Sequence, residues 1–276
     1  MNTKPDILDI VSTRKAAGVP FALATVVRTV AATAAKAGAK AVISTDGAIS
    51  EGWIGGGCAR EAVLKAARQA LADGRPRLIS VQPPDALQDH GVGPDVERDG
   101  VRFAANMCPS QGTMDIFIEP VLPHPQVAIL GASPVAIAVA GLAKRMGFST
   151  LVCAPRADHA GFTEADQWID GFELPDGERL RRFVVVSTQG RGDEAALKSA
   201  LSVQSDYVAF VGSRKKAETL KGRLAAAGVS AAAIAKLKAP AGLDLGAITP
   251  EEIALSILAE IVAARRRSDA AGIVAP

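Results

Sequence analysis

Between residues 127 and 211 the chain alternates short, nearly unbroken apolar runs with helical stretches, and few folds accommodate that pattern. Residues 127–130, 150–153, 183–187 and 208–211 are the runs; residues 135–146, 194–201 and the basic stretch 215–227 carry the helical spacing. A strand whose two faces are both buried reads as a continuous apolar run, and helices cover both faces only when crossovers join parallel strands. The second half is therefore expected to be a Rossmann-like parallel-sheet domain. Its last helix should open at Thr249-Pro250-Glu251-Glu252, with Thr249 as N-cap, Pro250 in the first turn and Glu252 reaching back. That helix is expected to run to about Arg265, where Arg265, Arg266 and Arg267 would meet its negative end; a tail without regular structure, 267–276, should follow.

The first half reads differently. Residues 6–17 suggest a short helix stopped by Gly18, and 21–30 form a strand rich in β-branched residues. Strands at 39–45 and 48–54 are joined through Asp46-Gly47. Gly55-Gly56-Gly57-Cys58 then precedes a helix over 60–72. A strand at 78–81, a polar loop over 83–100, and strands at 101–105 and 114–119 complete a mixed sheet. Pro123 and Pro125 mark residues 121–126 as an extended linker. The expected class is α/β: an N-terminal mixed α/β domain, 1–122, followed by the Rossmann-like domain, 126–266.

Composition excludes several roles. A net charge of +2 with both signs interspersed leaves no electrostatic footprint for nucleic acid. No apolar run reaches the ~18–20 residues of a membrane span, and residues 1–9 show no signal segment, so a cytoplasmic protein is expected. Three scattered cysteines make no disulfide framework, and three separate histidines make no metal set.

The strand at 127–130 turns into its helix through Gly131-Ala132-Ser133-Pro134-Val135-Ala136. The dinucleotide fingerprint asks for glycine at three places there: the tight turn, the pyrophosphate approach and the helix–strand contact. Gly131 meets the first, Ala136 is an accepted substitute at the third, and Ser133 fills the second, where it can cap the helix. No acidic residue ends the second strand, where Cys153-Ala154-Pro155-Arg156 stands; Arg156 could meet a phosphate. A nucleotide site and a Rossmann scaffold with a partly closed crevice both remain open. Cys58 at a helix start suits an anion or a lowered thiol pKa, as well as a buried turn cysteine. Cys108 lies in a loop between strands, and Cys153 belongs to the core. Arg28 and Lys40 lie near strand ends, where a cleft or plain surface would suit them.

Several blocks are similar to the XdhC/CoxI family of molybdenum hydroxylase maturation factors. They are Asp206 through Ala217 with Gly212-Ser213-Arg214, then Ala239-Pro240-Ala241-Gly242-Leu243-Asp244-Leu245-Gly246-Ala247, and then Thr249-Pro250-Glu251-Glu252 with Ser256 through Ile261. The first half agrees at Ala24 through Thr29, Gly38-Ala39-Lys40, Asp46-Gly47, Gly56-Gly57-Cys58, Glu61 and the Cys108 region. The resemblance implies a non-catalytic chaperone that binds a molybdopterin-type cofactor, or its dinucleotide form, protects it during sulfuration and delivers it to an apo-hydroxylase. It implies cofactor contacts at Arg28, Lys40, Gly56, Gly57, Cys58, Cys108, Gly131, Ser133, Ala136, Arg156, Gly212, Ser213 and Arg214, with Cys58 as a candidate metal ligand. A cysteine desulfurase, a second XdhC-type protein and a second copy of this chain are the further partners it suggests.

This sequence departs from the family pattern at particular places. Ala31, Ala32, Ala34, Ala35 and Ala41 stand where the family usually has a Gly-Ser pair, a Pro-Arg pair and a Met. Pro109 replaces a glycine after the second cysteine, and Ser133 the second glycine of the nucleotide loop. Two further readings stay beside the chaperone: an NAD(P)-binding oxidoreductase, and a degenerate scaffold acting through protein contacts. The cysteines, finally, carry an expectation of place: Cys58 at the mouth of a cleft between the two halves with Cys108 near it, and Cys153 inert.

Overall fold

A computed structural model describes residues 6–109, 111–176 and 181–271, with the backbone alone for Cys58 and 268–271. The chain divides into two compact units, Met1–Pro123 and His124–Pro276. Among the described residues no helix is long and apolar enough to cross a membrane.

In the first unit α1 (Ile7–Ala16), capped by the Asp6 carboxylate, leads into β1 (Phe21–Val30), β2 (Lys40–Ser44) and β3 (Ile49–Gly52). Helix α2 (Gly57–Asp73) then crosses to β4 (Arg77–Gln82), and α3 (Pro84–Asp89), β5 (Glu97–Arg98), β6 (Val101–Ala105) and β7 (Thr113–Val121) follow. The seven-stranded sheet has the order β3-β2-β1-β7-β4-β6-β5, mixed because only β4 and β6 run parallel. Alternation sorts β1: Ala22, Ala24 and Val26 are buried, whereas Leu23 and Thr25 are half-buried and Val27 exposed. The buried set joins Ile43, Ile79, Ile116 and Ile118 under Val63, Ala66, Ala67 and Ala70 of α2. Small alanines on that helix let it lie close on the sheet, which explains how so few aromatics suffice.

The second unit supplies β8 (Gln126–Leu130), α4 (Pro134–Arg145), β9 (Ser149–Ala154), a 3-10 turn (Arg156–Gly161), β10 (Gln167–Asp170) and β11 (Arg182–Val186). It continues with α5 (Asp193–Ser202), β12 (Tyr207–Phe210), α6 (Arg214–Ala226), α7 (Ala231–Ala235), β13 (Leu237–Lys238) and α8 (Pro250–Ala271). The sheet is parallel throughout, in the order β10-β9-β8-β11-β12-β13. Numbered within the unit this is 3-2-1-4-5-6, the doubly wound Rossmann order. Alternate side chains of β8 and β11 divide between two layers, Val127, Ile129, Phe183 and Val185 facing α4 and α8, and Ala128, Leu130, Val184 and Val186 facing α5 and α6.

The structure corrects several expectations. Helix α2 starts at Gly57 rather than 60, which puts Cys58 inside its first turn. The polar stretch 83–100 contains α3, started by Pro84 and Asp85, and the short edge strand β5. Helix α8 runs through the arginine triple to Ala271, because nothing from Ala264 to Ala271 breaks a helix. The tail expected at 267–276 is thus helical to Ala271, and 272–276 lie outside the described residues. Arg265 packs its guanidinium 5.1 Å from the Phe148 ring centroid rather than ending the helix. The capping box holds: Glu252 accepts from the Thr249 N–H at 3.0 Å, and Thr249 Oγ1 accepts from the Glu252 N–H at 3.3 Å.

Replacing Ile116 by Ala at the centre of β7 should cost about 2–5 kcal/mol in chemical denaturation. Val27→Ala, on the other side of the same sheet, should stay within about 0.5 kcal/mol.

Candidate ligand-binding site

In a doubly wound sheet, ligands collect beyond the carboxyl ends of the strands, foremost where the strand order reverses. Here that point lies between β8 and β11. Gly131 follows β8 at φ +110°, and a side chain there would collide with the Ser187 carbonyl that follows β11. The Ser133 hydroxyl accepts from the Ala136 N–H at 3.1 Å, capping α4, and lies 2.5 Å from the Ser187 hydroxyl. Ser133 is 2% exposed, so its oxygen is committed to the scaffold. Ala136 is buried in the helix–strand contact.

The crevice left by this close approach is about 40 Å³, lined by Gly131, Ala132, Pro155, Asp158, Phe172, Thr188 and Arg191. Organic ligands occupy roughly 300–1,000 Å³, so as it stands the crevice has room for little more than a water. Asp158 and Arg191 face each other at 3.7 Å, and Phe172 packs against Gly192, which has no room for a side chain. An acid absent from the end of β9 is present at the end of β10, but the Asp170 carboxylate accepts from the Arg156 N–H at 2.9 Å and so shapes the turn.

Next to the crevice a charged knot ties β11 to α6. The Asp193 carboxylate accepts from the Thr188 hydroxyl and, at 3.1 Å, from the Gly190 N–H, and it pairs with Lys216 at 2.6 Å. Burial raises the Asp193 pKa, but the bonds from Lys216, Thr188 and Gly190 outweigh it and hold the carboxyl below its ordinary 3.8. Lys216 also sits 5.5 Å from the Phe210 ring centroid.

A far larger cavity, about 630 Å³, opens at the ends of β12 and β13. Arg214, Leu237, Lys238, Ala239 through Ala247, and Ile253, Ser256 and Glu260 of α8 line it. Its wall is pinned by Glu260, which accepts from the Tyr207 hydroxyl at 2.6 Å and the Gly242 N–H at 2.9 Å, and pairs with Lys238 at 3.1 Å. Burial and the Glu260 carboxylate push the Tyr207 phenol far above its usual range. Ser213 caps α6 through the Lys216 N–H, and Gly212 leaves space for the Phe210 ring. Of the residues expected from sequence, Gly131 lines the small crevice and Arg214 the large cavity. Lys238, Asp244 and Glu260 were missed, since no chemical motif marks them.

The first unit gathers a second set. A Cβ on Gly55 would lie 3.5 Å from Met114 and 3.9 and 4.0 Å from Ala34 and Ala35; Ala32 bridges to Gln111, and Gly112 lies against the Ala32 carbonyl. The glycine loop before α2, the alanine segment and the loop carrying Cys108 therefore share one end of the sheet. Cys108 is exposed, and the Cys58 thiol lies outside the described residues, as do Cys58's expected contacts. Cys153 is buried, which pushes its thiol up to about 11 against the opposing Arg182 charge. Arg28 donates to Asp115 at 2.5 Å, Ser80 to Asp115 at 2.6 Å, and Gln82 to Ser80 at 2.7 Å, a polar row across three strands. Lys40 reaches the Gly38 carbonyl at 3.4 Å.

Residues 127–261 match the model of the XdhC Rossmann domain, and residues 15–82 that of the XdhC and CoxI family. The chain belongs to the XdhC and CoxI family. Among its relatives, the uncharacterized protein YqeB of Escherichia coli (strain K12) is 30% identical over 252 residues, 88% of this chain and 43% of that one. A probable xanthine dehydrogenase subunit of Bacillus subtilis (strain 168) is 29% identical over 164 residues, 56% of this chain and 47% of that one. The chain thus spans less than half the length of the curated relatives it matches. A solved structure of a xanthine dehydrogenase from Bacillus halodurans covers 94% of this chain and 96% of its own at 19% identity, with a TM-score of 0.45. Against the family pattern, Ala31 stands at φ +60°, in the left-handed region where a glycine costs nothing.

Ala31→Gly should accordingly raise stability by up to about 1 kcal/mol in urea unfolding, the left-handed penalty of an alanine less the entropy of a glycine. For Asp193 the folded pKa lies below the unfolded one, so its stabilisation is complete above pH 3.8 and is lost as pH falls through the folded value. The stability gap between wild type and Asp193→Asn should stay level from about pH 5 to 8 and shrink below about pH 4.

Proposed function

We propose that this XdhC/CoxI chain is a binding and delivery protein for the molybdenum cofactor of a xanthine dehydrogenase-type hydroxylase. The observation that carries this beyond family membership is the displacement of usable space in the Rossmann unit. The switch-point crevice holds about 40 Å³, and the cavity at β12–β13 about 630 Å³. A nicotinamide dinucleotide laid across the switch point has no room, which argues against the NAD(P) oxidoreductase. The large cavity falls in the size range of a compact cofactor, and Arg214 supplies a cation suited to its phosphate.

The molybdenum centre supplies the redox chemistry once it is in the client enzyme; the residues here bind and shield. Glu260 holds the loop 241–243 in place, so the cavity wall exists before a ligand arrives and little ordering entropy is lost on binding. In the family's N-terminal pattern the present alanines stand in place of a hydroxyl and a guanidinium, so the Rossmann unit carries the larger share of the affinity. The relative named a probable xanthine dehydrogenase subunit points to the same client class.

Titration of the purified protein with molybdopterin, its cytosine dinucleotide, NAD and NADP tests this reading, followed by transfer to an apo-hydroxylase. A molybdopterin form should raise the melting temperature, by about 2.7 kcal/mol of stabilisation at 100 times Kd, and the loaded protein should activate the apo-enzyme. Stabilisation by NAD or NADP alone, without transfer, would point to the oxidoreductase instead.

A further inference from the structure

We infer that the basic face of α6 and α7 docks on the acidic segment 85–99 of a second copy of this chain. The chain as a whole carries only +2, yet its charge is sorted. Residues 214–236 hold six cations, Arg214, Lys215, Lys216, Lys221, Arg223 and Lys236, against one carboxylate, Glu218. Residues 85–99 hold five carboxylates, Asp85, Asp89, Asp95, Glu97 and Asp99, against one guanidinium, Arg98. Part of each set is already paired. Lys216 holds Asp193, Lys221 holds Glu218, Asp95 pairs with Lys65 at 2.8 Å, and Glu97 lies 3.8 Å from Arg102. Arg214 lines the large cavity. What remains is Lys215, Arg223 and Lys236 on one side, and Asp85, Asp89 and Asp99 on the other. All six are exposed, and among the described residues none makes a side-chain hydrogen bond or ion pair.

Asp85 and Asp89 stand four apart on α3, where like charges repel, and Asp99 is held at φ +53° in the turn from β5 to β6. A cationic partner turns that repulsion into attraction. Both surfaces are rigid: Leu87, Val92 and Phe103 pack together under the acidic segment, and Ala217, Leu220 and Leu224 anchor α6. Little ordering entropy is therefore lost on contact. Residues 214–236 contain no aromatic ring on which a base could stack. Leu220 and Leu224 are buried, so α6 has no apolar face to insert into a bilayer. A protein surface of opposite charge is what it fits, and this chain carries one. Because the two surfaces differ, the contact is head-to-tail, each copy giving α6 and receiving at segment 85–99. Exposed ion pairs are weak singly and are screened beyond ~10 Å at ~0.1 M salt, so the association is reversible and salt-sensitive. It does not depend on the maturation reading above.

Sedimentation velocity of the full chain over a range of concentrations tests the contact. Association should grow with concentration and weaken about tenfold or more between about 50 and 500 mM salt. Lys215→Glu with Arg223→Glu should leave a monomer, as should Asp85→Lys with Asp89→Lys. All four positions are exposed, so both double variants should melt close to the wild type. Mixing the two should restore association, because each then meets a surface of opposite sign, and that recovery also shows both are folded. A chain that stays monomeric at low salt overturns the inference. So does association that either double variant leaves intact, or a mixture that stays monomeric. Binding of duplex DNA or phosphatidylserine vesicles that Lys215→Glu with Arg223→Glu abolishes, in a chain that does not self-associate, would assign α6 to that partner instead.

Discussion

The contact between Gly131 and the backbone at Ser187 sets the plan of the Rossmann unit. Parallel strands β8 and β11 are neighbours from which the chain departs in opposite directions, and that divergence ordinarily opens a ligand crevice. Here the turn after β8 leans on the strand beside it. The Ser133 hydroxyl, the Ser187 hydroxyl and the Ala136 N–H close a bond network across the gap. Replacing the fingerprint's second glycine by serine thus does two things together: it caps α4 and staples the switch point. Asp158, Arg191 and Phe172 fill what remains. Space that most members of this fold class keep at the centre of the edge is found two strands away.

That displaced cavity depends in turn on one buried carboxylate. Glu260 faces into α8's contact with the loop after β13, where an unpaired charge would be costly. Its oxygens receive a phenol, a backbone amide and an ammonium group. The arrangement ties together two strands, a loop and a helix, and it explains why the Ala239–Ala247 block and the Ser256–Ile261 block work as a pair. One supplies the wall and the other the anchor.

The N-terminal unit shows what the alanine substitutions do physically. Ala31 keeps the left-handed backbone of a glycine without its freedom, so the loop path survives although the residue that favours it does not. Ala34 and Ala35 pack toward Gly55, filling with methyl groups the approach to the start of α2. The architecture is retained while polar capacity there falls.

The sequence by itself determined the alternation of buried strands and helices, the capping of α4 and α8, the hairpin at Asp46-Gly47 and the divide near Pro123. These are local matters: period, cap chemistry and turn residues act over a few positions, and a single chain displays them. It also displayed Gly131, Ser133 and Arg214. Weakly patterned elements escaped it, such as β10, exposed along most of its length, and the two-residue β5 and β13, where packing rather than propensity makes the strand. Only the tertiary structure decided that Ser133 would bond to Ser187, 54 positions away, that Asp170 would be spent on a turn, and that Glu260 would hold Gly242. Which crevice closes and which stays open depends on side chains meeting across the sheet's edge, and the distance between them along the chain carries no trace of that meeting.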